Sequence, residues 1–357
     1  SDVCSSDLMI NKFEVRYLAS VVVLALVIVF LPKNASALTL TPVRFEVSGD
    51  PGAVIQQEMT LINERDTEET YYSSFSNFEA QGETGSPSFV DPVDGLGTWM
   101  ETDTVVTLAP GTSKIVPVTI RIPESAEAGG YFAAVFWGTN NPELAEGGSI
   151  AIGAKTGVLM LLRVNGEVDE KGGILEYDTI DHKNFFTSLP VSFYYRFQNS
   201  GGDRIKPDGD IVIRHMFGFV RAKVPANAVQ GNVLPSQTRR FEAVWQSGNG
   251  SSDVADIENL GFFKKVVYEW KNFAFGYYTA NISLAYGTND DQTSSAKAGF
   301  FVFPWHLILV IVIALFILIQ IVHRVRNHYR RNLMESLRSE IKEELKQEMN
   351  ENSTPKV

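Results

Sequence analysis

The sequence predicts an all-β protein: two tandem immunoglobulin-like β-sandwiches, followed by a single C-terminal transmembrane helix and a short cytoplasmic helix. Three observations predict it. Between residues 38 and 303, apolar and polar side chains alternate with period two, and Gly, Pro, Asn and Asp break the alternation at short intervals. No helical period is apparent in that span. Leu307 to Val322 is then almost uninterrupted Leu, Ile, Val, Phe and Ala, enough to cross a hydrocarbon core about 30 Å thick.

Residues 1–37 read as an upstream leader and a signal peptide. Ser1 to Leu8 form an unpatterned acidic leader ahead of Met9. Lys12 and Arg16 then precede the short apolar run Val21 to Leu31, and Ala35-Ser36-Ala37 gives the small-x-small pattern of cleavage after Ala37. Cys4 is the only cysteine of the 357 residues and would leave with this segment. The exported chain is therefore expected to hold no disulfide, no thiolate nucleophile and no Cys-ligated metal.

The first sandwich is expected over residues 38–164. Leu40 to Val47 and Val54 to Asn63 alternate like strands, joined by the turn residues Gly49-Asp50-Pro51-Gly52, and Ala109-Pro110-Gly111 marks another turn. In Ile115 to Pro123, Val116, Val118, Ile120 and Ile122 fall on one face. Tyr131 to Trp137 is apolar on both faces, which predicts a central strand covered on each side or one that faces a neighbouring domain.

A second, antiparallel sandwich is expected over 165–303, close to the membrane. Val191, Phe193, Tyr195 and Phe197 alternate with polar residues, Asn199 to Asp203 and Pro207-Asp208-Gly209 read as turns, and Ile211 to His215 as a strand. Ala280, Ile282, Leu284 and Tyr286 alternate in another, and Ala298 to Phe303 runs into the apolar segment.

Residues 304–323 are the expected transmembrane helix. Trp305 suits one interface, while Arg324, Arg326, Arg330 and Arg331 follow the other end, so the positive-inside rule places the sandwiches outside and the C-terminus in the cytoplasm. Residues 324–357 then form a basic segment and an amphipathic helix. Leu333, Leu337, Ile341, Leu345 and Met349 recur every fourth residue among charged ones, a stripe that could pair with a copy of itself as a homo-oligomer or lie on the inner leaflet.

Charge and residue inventory narrow the chemistry. The chain carries a formal net charge of -11. Residues 38–163 hold 6 Lys and Arg against 17 Asp and Glu, whereas 164–303 hold 14 against 16. Phosphate recognition needs clustered cations, so nucleic acid is not an expected partner. Between residues 38 and 303 the only histidines are His182, in a polar stretch, and His215, on a strand face with Ile211 and Ile213. Two histidines at zinc-ligand spacing do not occur there. Ser294-Ser295-Ala296-Lys297 matches S-x-x-K, but in a polar loop rather than at a helix start, where that nucleophile belongs. No catalytic residue and no cofactor is assigned.

Two kinds of binding residue stand out. Asp91, Asp94, Glu101 and Asp103 could offer oxygen ligands to calcium, although without regular ligand spacing. Aromatic side chains could anchor a partner: Tyr131 and Trp137 in the first sandwich, and Trp270 and Tyr277 in the run that contains Phe262, Phe263, Tyr268, Phe273, Phe275 and Tyr278, most of which are expected in the core.

Several motifs together resemble a known family. Pro110-Gly111-Thr112-Ser113-Lys114 leads to Val118-Thr119-Ile120-Arg121-Ile122-Pro123 and then to Ala128-Gly129-Gly130-Tyr131; this resembles the N-terminal domain of the WxL-interacting proteins of Gram-positive cell surfaces. Phe197-Gln198-Asn199-Ser200-Gly201, Lys206-Pro207-Asp208-Gly209, Met216-Phe217-Gly218, Asn232-Val233-Leu234-Pro235, Thr238-Arg239 and Tyr278 to Gly287 follow in the order of that family's second domain. The resemblance spans most of 38–303 with the signal peptide and anchor. It implies a peptidoglycan-binding first domain and a second domain that binds WxL surface proteins or host matrix. Trp305-His306-Leu307 also spells W-x-L, here read as an interfacial Trp.

The sequence thus points to a non-enzymatic, single-pass membrane protein of the bacterial surface that engages wall glycan or another exported protein through sandwich edges and loops. The alternative is a tethered sensor or assembly component whose cytoplasmic helix reports on the ectodomain.

Overall fold

The computed structural model describes residues 38–140, 155–247 and 260–352, with side chains described as far as residue 346. The leader and signal-peptide residues lie outside this set. The described residues divide into two compact units: the first gathers those up to Phe78, in Phe89–Glu127 and from Tyr131 to Asn165, and the second those in Glu79–Ser88, in Ala128–Gly130 and from Gly166 onward.

In the first unit, one sheet has the order β1 (Leu38–Thr41), β3 (Val54–Asn63), β8 (Ser113–Arg121), β6 (Met100–Thr102). The other runs β2 (Arg44–Gly49), β10 (Lys155–Val164), β9 (Gly129–Gly138), β4 (Glu69–Gln81), β5 (Ser86–Val90), with β7 (Val105–Leu108) also on β4. A short helical turn, α1 (Leu96–Trp99), precedes β6. Leu61, Val116, Val118, Ile120, Val135, Trp137 and Leu162 are among the residues that close the core. β9 is central, as its two-sided apolarity predicts.

Leu40 to Val47, expected as one strand, is two. Pro42 has no N–H to continue a ladder, so β1 pairs antiparallel with β3 while β2 leaves for the other sheet and pairs parallel with β10.

In the second unit, β11 (Gly172–Thr179), β13 (Val191–Asn199) and β16 (Thr238–Trp245) form one sheet. The other runs β12 (Phe185–Phe186), β18 (Gln292–Val302), β17 (Gly276–Tyr286), β14 (Asp208–His215), β15 (Val220–Pro225). Phe193, Tyr195, Phe197, Ile211, Ile213, Ile282 and Phe300 lie in its core. It is not wholly antiparallel, because β12 pairs parallel with β18. Asp208-Gly209 opens β14 instead of a turn: Gly209, at φ 154°, lies opposite Leu284, and a Cβ there would meet the Ser283 carbonyl.

Each unit is pinned by a buried asparagine at a strand end, in the same way. Asn63 ends β3; its Oδ1 accepts from the Arg65 N–H (3.1 Å), and its Nδ2 donates to the carbonyls of Thr67 (2.9 Å) and Leu108 (3.0 Å). Asn199 ends β13; its Oδ1 accepts from Gly201 N–H (2.8 Å), and its Nδ2 donates to the carbonyls of Asp203 (2.7 Å) and Val233 (2.9 Å). Both amides replace backbone partners that the chain loses as it leaves the ladder.

Two helices complete the second unit. Helix α2 (Phe262–Lys271) lies in the aromatic-rich run, where no helix is expected from the sequence. Helix α3 (Trp305–Asn352) is a single element of 48 residues, so the expected transmembrane and cytoplasmic helices are continuous. Its apolar part is long and apolar enough to cross a membrane.

Candidate partner-binding surface

The acidic candidates of the first unit do not converge on a metal site. Glu101 pairs with Arg121 (3.1 Å) and Asp103 with Lys114 (3.0 Å), and the loop carrying Asp91 and Asp94 is held by Asn77, whose Nδ2 donates to the Asp94 carbonyl and whose Oδ1 accepts from Gly97 N–H. Among the described residues, no group of three or more His, Cys, Asp or Glu is placed to hold a metal ion. Ser294 of the S-x-x-K pattern lies within β18, and its Oγ accepts from the Ile174 N–H, so the pattern is part of a ladder and not a loop.

Trp137 is fully buried in the first core and cannot be an exposed anchor, a correction to its choice as a partner residue. Every second side chain of a sandwich strand faces inward, and position 137 shares that face with Val135. Tyr131 is half-buried, packs on Trp99 at 4.6 Å between ring centroids and donates its hydroxyl to the Glu127 carbonyl. The surface aromatic of this unit is instead Phe89, 42% exposed on β5, edge-on to Phe136 (4.8 Å) and Phe78 (6.1 Å). Gly157 leaves room for Phe136, since a Cβ there would fall 2.6 Å from its ring. β9 is apolar on both faces, so its sequence does not tell the outer phenylalanines from the core face.

The second unit exposes far more aromatic surface than the sequence suggests. Phe262, Phe263, Trp270, Phe273, Phe275 and Tyr277 are all exposed, and of the eight aromatics in that run only Tyr278 is buried. Trp270 and Tyr277, both chosen from the sequence, are among these exposed residues. The turn between β14 and β15 adds Met216, Phe217 and Phe219. Its position is fixed by Met216 N–H donating to the Tyr277 carbonyl (2.9 Å) and by His215, whose Nε2 lies 3.1 Å from the Phe275 carbonyl. His215 thus holds two chain segments together, with its ring stacked on Phe219 (4.8 Å).

Where this surface meets α3 there is a buried polar pair. Glu269 of α2 is 2% exposed and places Oε1 2.5 Å from His306 Nδ1, while its Oε2 accepts from the Leu307 N–H at 2.8 Å. One carboxyl group therefore fastens α2 to the first turn of α3 and occupies a free N–H of that turn. Phe262 closes over the junction, 5.5 Å from the His306 ring and 6.4 Å from Trp305. His306, the middle residue of the W-x-L triplet, is thus structural.

A second polar cluster covers β11 and β13. Arg196 donates Nε and Nη2 to the two carboxylate oxygens of Glu83 (2.8 and 2.5 Å) and Nη1 to Glu176 (3.3 Å). The Tyr194 hydroxyl donates to Glu176 (2.6 Å), its ring carries Arg240 at 4.3 Å, and His182 pairs with Asp178 (2.8 Å). The Arg196 guanidinium lowers the Glu83 carboxyl, and the Tyr194 hydroxyl, then Arg196, lower that of Glu176. His182 is raised by its bond to Asp178, and burial with the Glu176 bond pushes the Tyr194 hydroxyl up to about 12. These partners are matched donors and acceptors, as in a structural clasp.

No family model matches the chain, and no curated protein matches it in sequence. Among solved structures, the chain is similar to the class 5 fimbriae chaperone CfaA, at 13% identity over 73% of this chain and 99% of that one, TM-score 0.37. It is also similar to a chain of the CsuC-CsuE chaperone-tip adhesion subunit pre-assembly complex of Acinetobacter baumannii (7% identity, 74% and 98% covered, TM-score 0.33) and to the E. coli chaperone DraB (10%, 74% and 97%, 0.29).

Proposed function

We propose that the chain is a non-enzymatic, membrane-anchored surface protein whose sandwiches hold a partner outside the membrane, either wall glycan or another exported protein. The observation that carries this reading is the direct passage of β18, through Pro304, into a helix apolar enough to cross a membrane, on a chain whose sandwich sheets leave aromatic side chains exposed. The resemblance to WxL-interacting proteins supports the same reading, with peptidoglycan and WxL surface proteins as the ligands it implies. Arg324, Arg326, Arg330 and Arg331 lie beyond the apolar stretch, and no acid occurs between Gln292 and Met334, so the sandwiches face outward and the C-terminus inward.

In the first sandwich, Phe89 on the edge strand β5 is the proposed contact. A flat aromatic face suits a sugar ring or an apolar side chain, and an edge strand offers backbone groups for strand addition. Residues 38–303 should be retained by purified wall glycan or by a specific surface protein, and Phe89→Ser should weaken that retention about tenfold. Retention by neither ligand overturns the binding reading. Protease shaving of intact cells should remove the sandwiches and leave a membrane-held fragment with the four arginines; complete protection overturns the orientation.

The continuity of α3 favours a second reading, a tethered sensor or assembly component in which the part of α3 that carries Leu333, Leu337, Ile341 and Leu345 reports on the ectodomain.

A further inference from the structure

Helix α2 carries two different faces. Phe262 and Glu269 turn toward the junction with α3, Phe262 beside the rings of Trp305 and His306 and Glu269 buried against His306 and Leu307. Phe263, Val267 and Trp270, spaced four and three residues apart, form a second stripe that is 79%, 54% and 69% exposed. Lys264, Lys265 and Lys271 are the other charged residues of the helix, and its one acid is the buried Glu269. An exposed Phe/Val/Trp stripe flanked by lysines is the composition of helices that lie in a membrane interface.

Its location agrees with its composition. The stripe is fastened by Glu269 to the residues that open the apolar helix, Trp305 to Leu307. Further exposed aromatics adjoin the same exit: Phe275 lies 5.9 Å from Phe303, and the Phe217 turn is tied to the strand that follows Phe275. A soluble partner would have to occupy this face at the foot of a span, where lipid is already in reach.

We infer that α2 is an interfacial helix, with Phe263, Val267 and Trp270 seated among the lipid headgroups and upper acyl chains and the lysines at the phosphates. The occupant is the bilayer itself. This rests on the reading of α3 as a membrane anchor. The second unit is thereby held at a fixed height and tilt, and its foot is closed to protein partners, which leaves the surfaces remote from α2 for binding.

The test uses the full chain with Trp305→Phe, reconstituted into phosphatidylcholine/phosphatidylglycerol vesicles that carry bromine at shallow or deep acyl positions. Trp270 then reports alone at this end, because Trp99, Trp137 and Trp245 lie in the sandwiches. Shallow bromine should quench the emission more than deep bromine, a further Trp270→Phe should remove the quenching, and Phe263→Glu should at least halve it. Retention of the protein through an alkaline carbonate wash without quenching of Trp270 overturns the docking and leaves the anchor standing. Shielding of Trp270 from both bromolipid and aqueous acrylamide assigns the face to a protein or a second copy, and equally overturns it. Release of the chain by the wash overturns anchor and docking together.

Discussion

Glu269 makes two contacts that no other residue at the α2–α3 junction can replace: it pairs with His306 and caps the Leu307 N–H. Glu269→Ala leaves an imidazole nitrogen and a helix-end N–H without partners in a closed space, a loss of about 3 kcal/mol. Glu269→Gln keeps an acceptor for one of them and should lose less. The ordering Ala below Gln below wild type in Tm, for the full chain in detergent, is the expected result; equal Tm for all three would show that the junction does not contribute to the fold. A residue-scale pH dependence belongs to the Arg196 cluster. Glu83 and Glu176 have lowered carboxyls, so their contribution is present above about pH 4.3 and fades as pH falls below it. His182 is raised, so its contribution is present below about pH 6.5 and fades as pH rises past it. All three act together between those limits. Since these side chains are about a third exposed or more, the effect is a degree or two in Tm, with a maximum near pH 5 to 6. Arg196→Ala should lower Tm at pH 6 and flatten the loss on the acid side, as thermal melts between pH 3 and 8 would register.

At the scale of elements, the paired asparagines are the feature the two units share most closely. Asn63 and Asn199 each tie a strand end to the next turn and to a distant carbonyl, and both are fully buried. Replacing either by Ala strands several buried carbonyls and should cost about 2 to 4 kcal/mol, while a surface Asn such as Asn165 should tolerate the change. Urea melts of the three variants make the comparison; loss of less than 0.5 kcal/mol at Asn63 and Asn199 alike would contradict the assigned role. The strands were legible from period-two alternation because each has one face on a core, as in Val116, Val118 and Ile120. Asn63 and Asn199 were not, because an Asn after an apolar strand signals a turn whether its side chain points to water or inward. Helix α2 escaped for a related reason. Phe262, Phe263, Val266, Val267 and Trp270 do share one apolar arc, but ten residues rich in aromatic and β-branched side chains, opened by Gly261 without a capping side chain, read equally as strand. Trp137 and Phe89 show the limit for sites: residue type marks an aromatic, but only the strand's phase in the sheet decides whether it fills the core or meets a partner.

The whole molecule turns on α3, whose 48 residues reach about 72 Å, more than twice the hydrocarbon core. The excess projects past Arg331 as a charged helix with a narrow apolar stripe. Leu333, Leu337, Ile341 and Leu345 recur at intervals of four, which drift about 40° per step against a period of 3.6 residues, so the stripe winds around the helix. A left-handed coiled coil needs 3.5 and would lose contact with such a stripe within a few turns. Stable self-association through this segment alone is therefore not expected. Its continuity with the apolar stretch of α3, and the attachment of that stretch to α2 through Glu269, favour transmission of a rigid displacement over pairing. Removal of residues 332–357 separates the two functional readings. For a tethered binder, the truncated chain stays in the membrane, keeps its orientation through the four arginines and retains ligand as well as the full chain. For a sensor, membrane retention and ligand binding are unchanged while the cellular response to ligand disappears. A truncation that instead releases the protein from the membrane would contradict both, since it would place the anchoring in the charged segment and not in Leu307 to Val322.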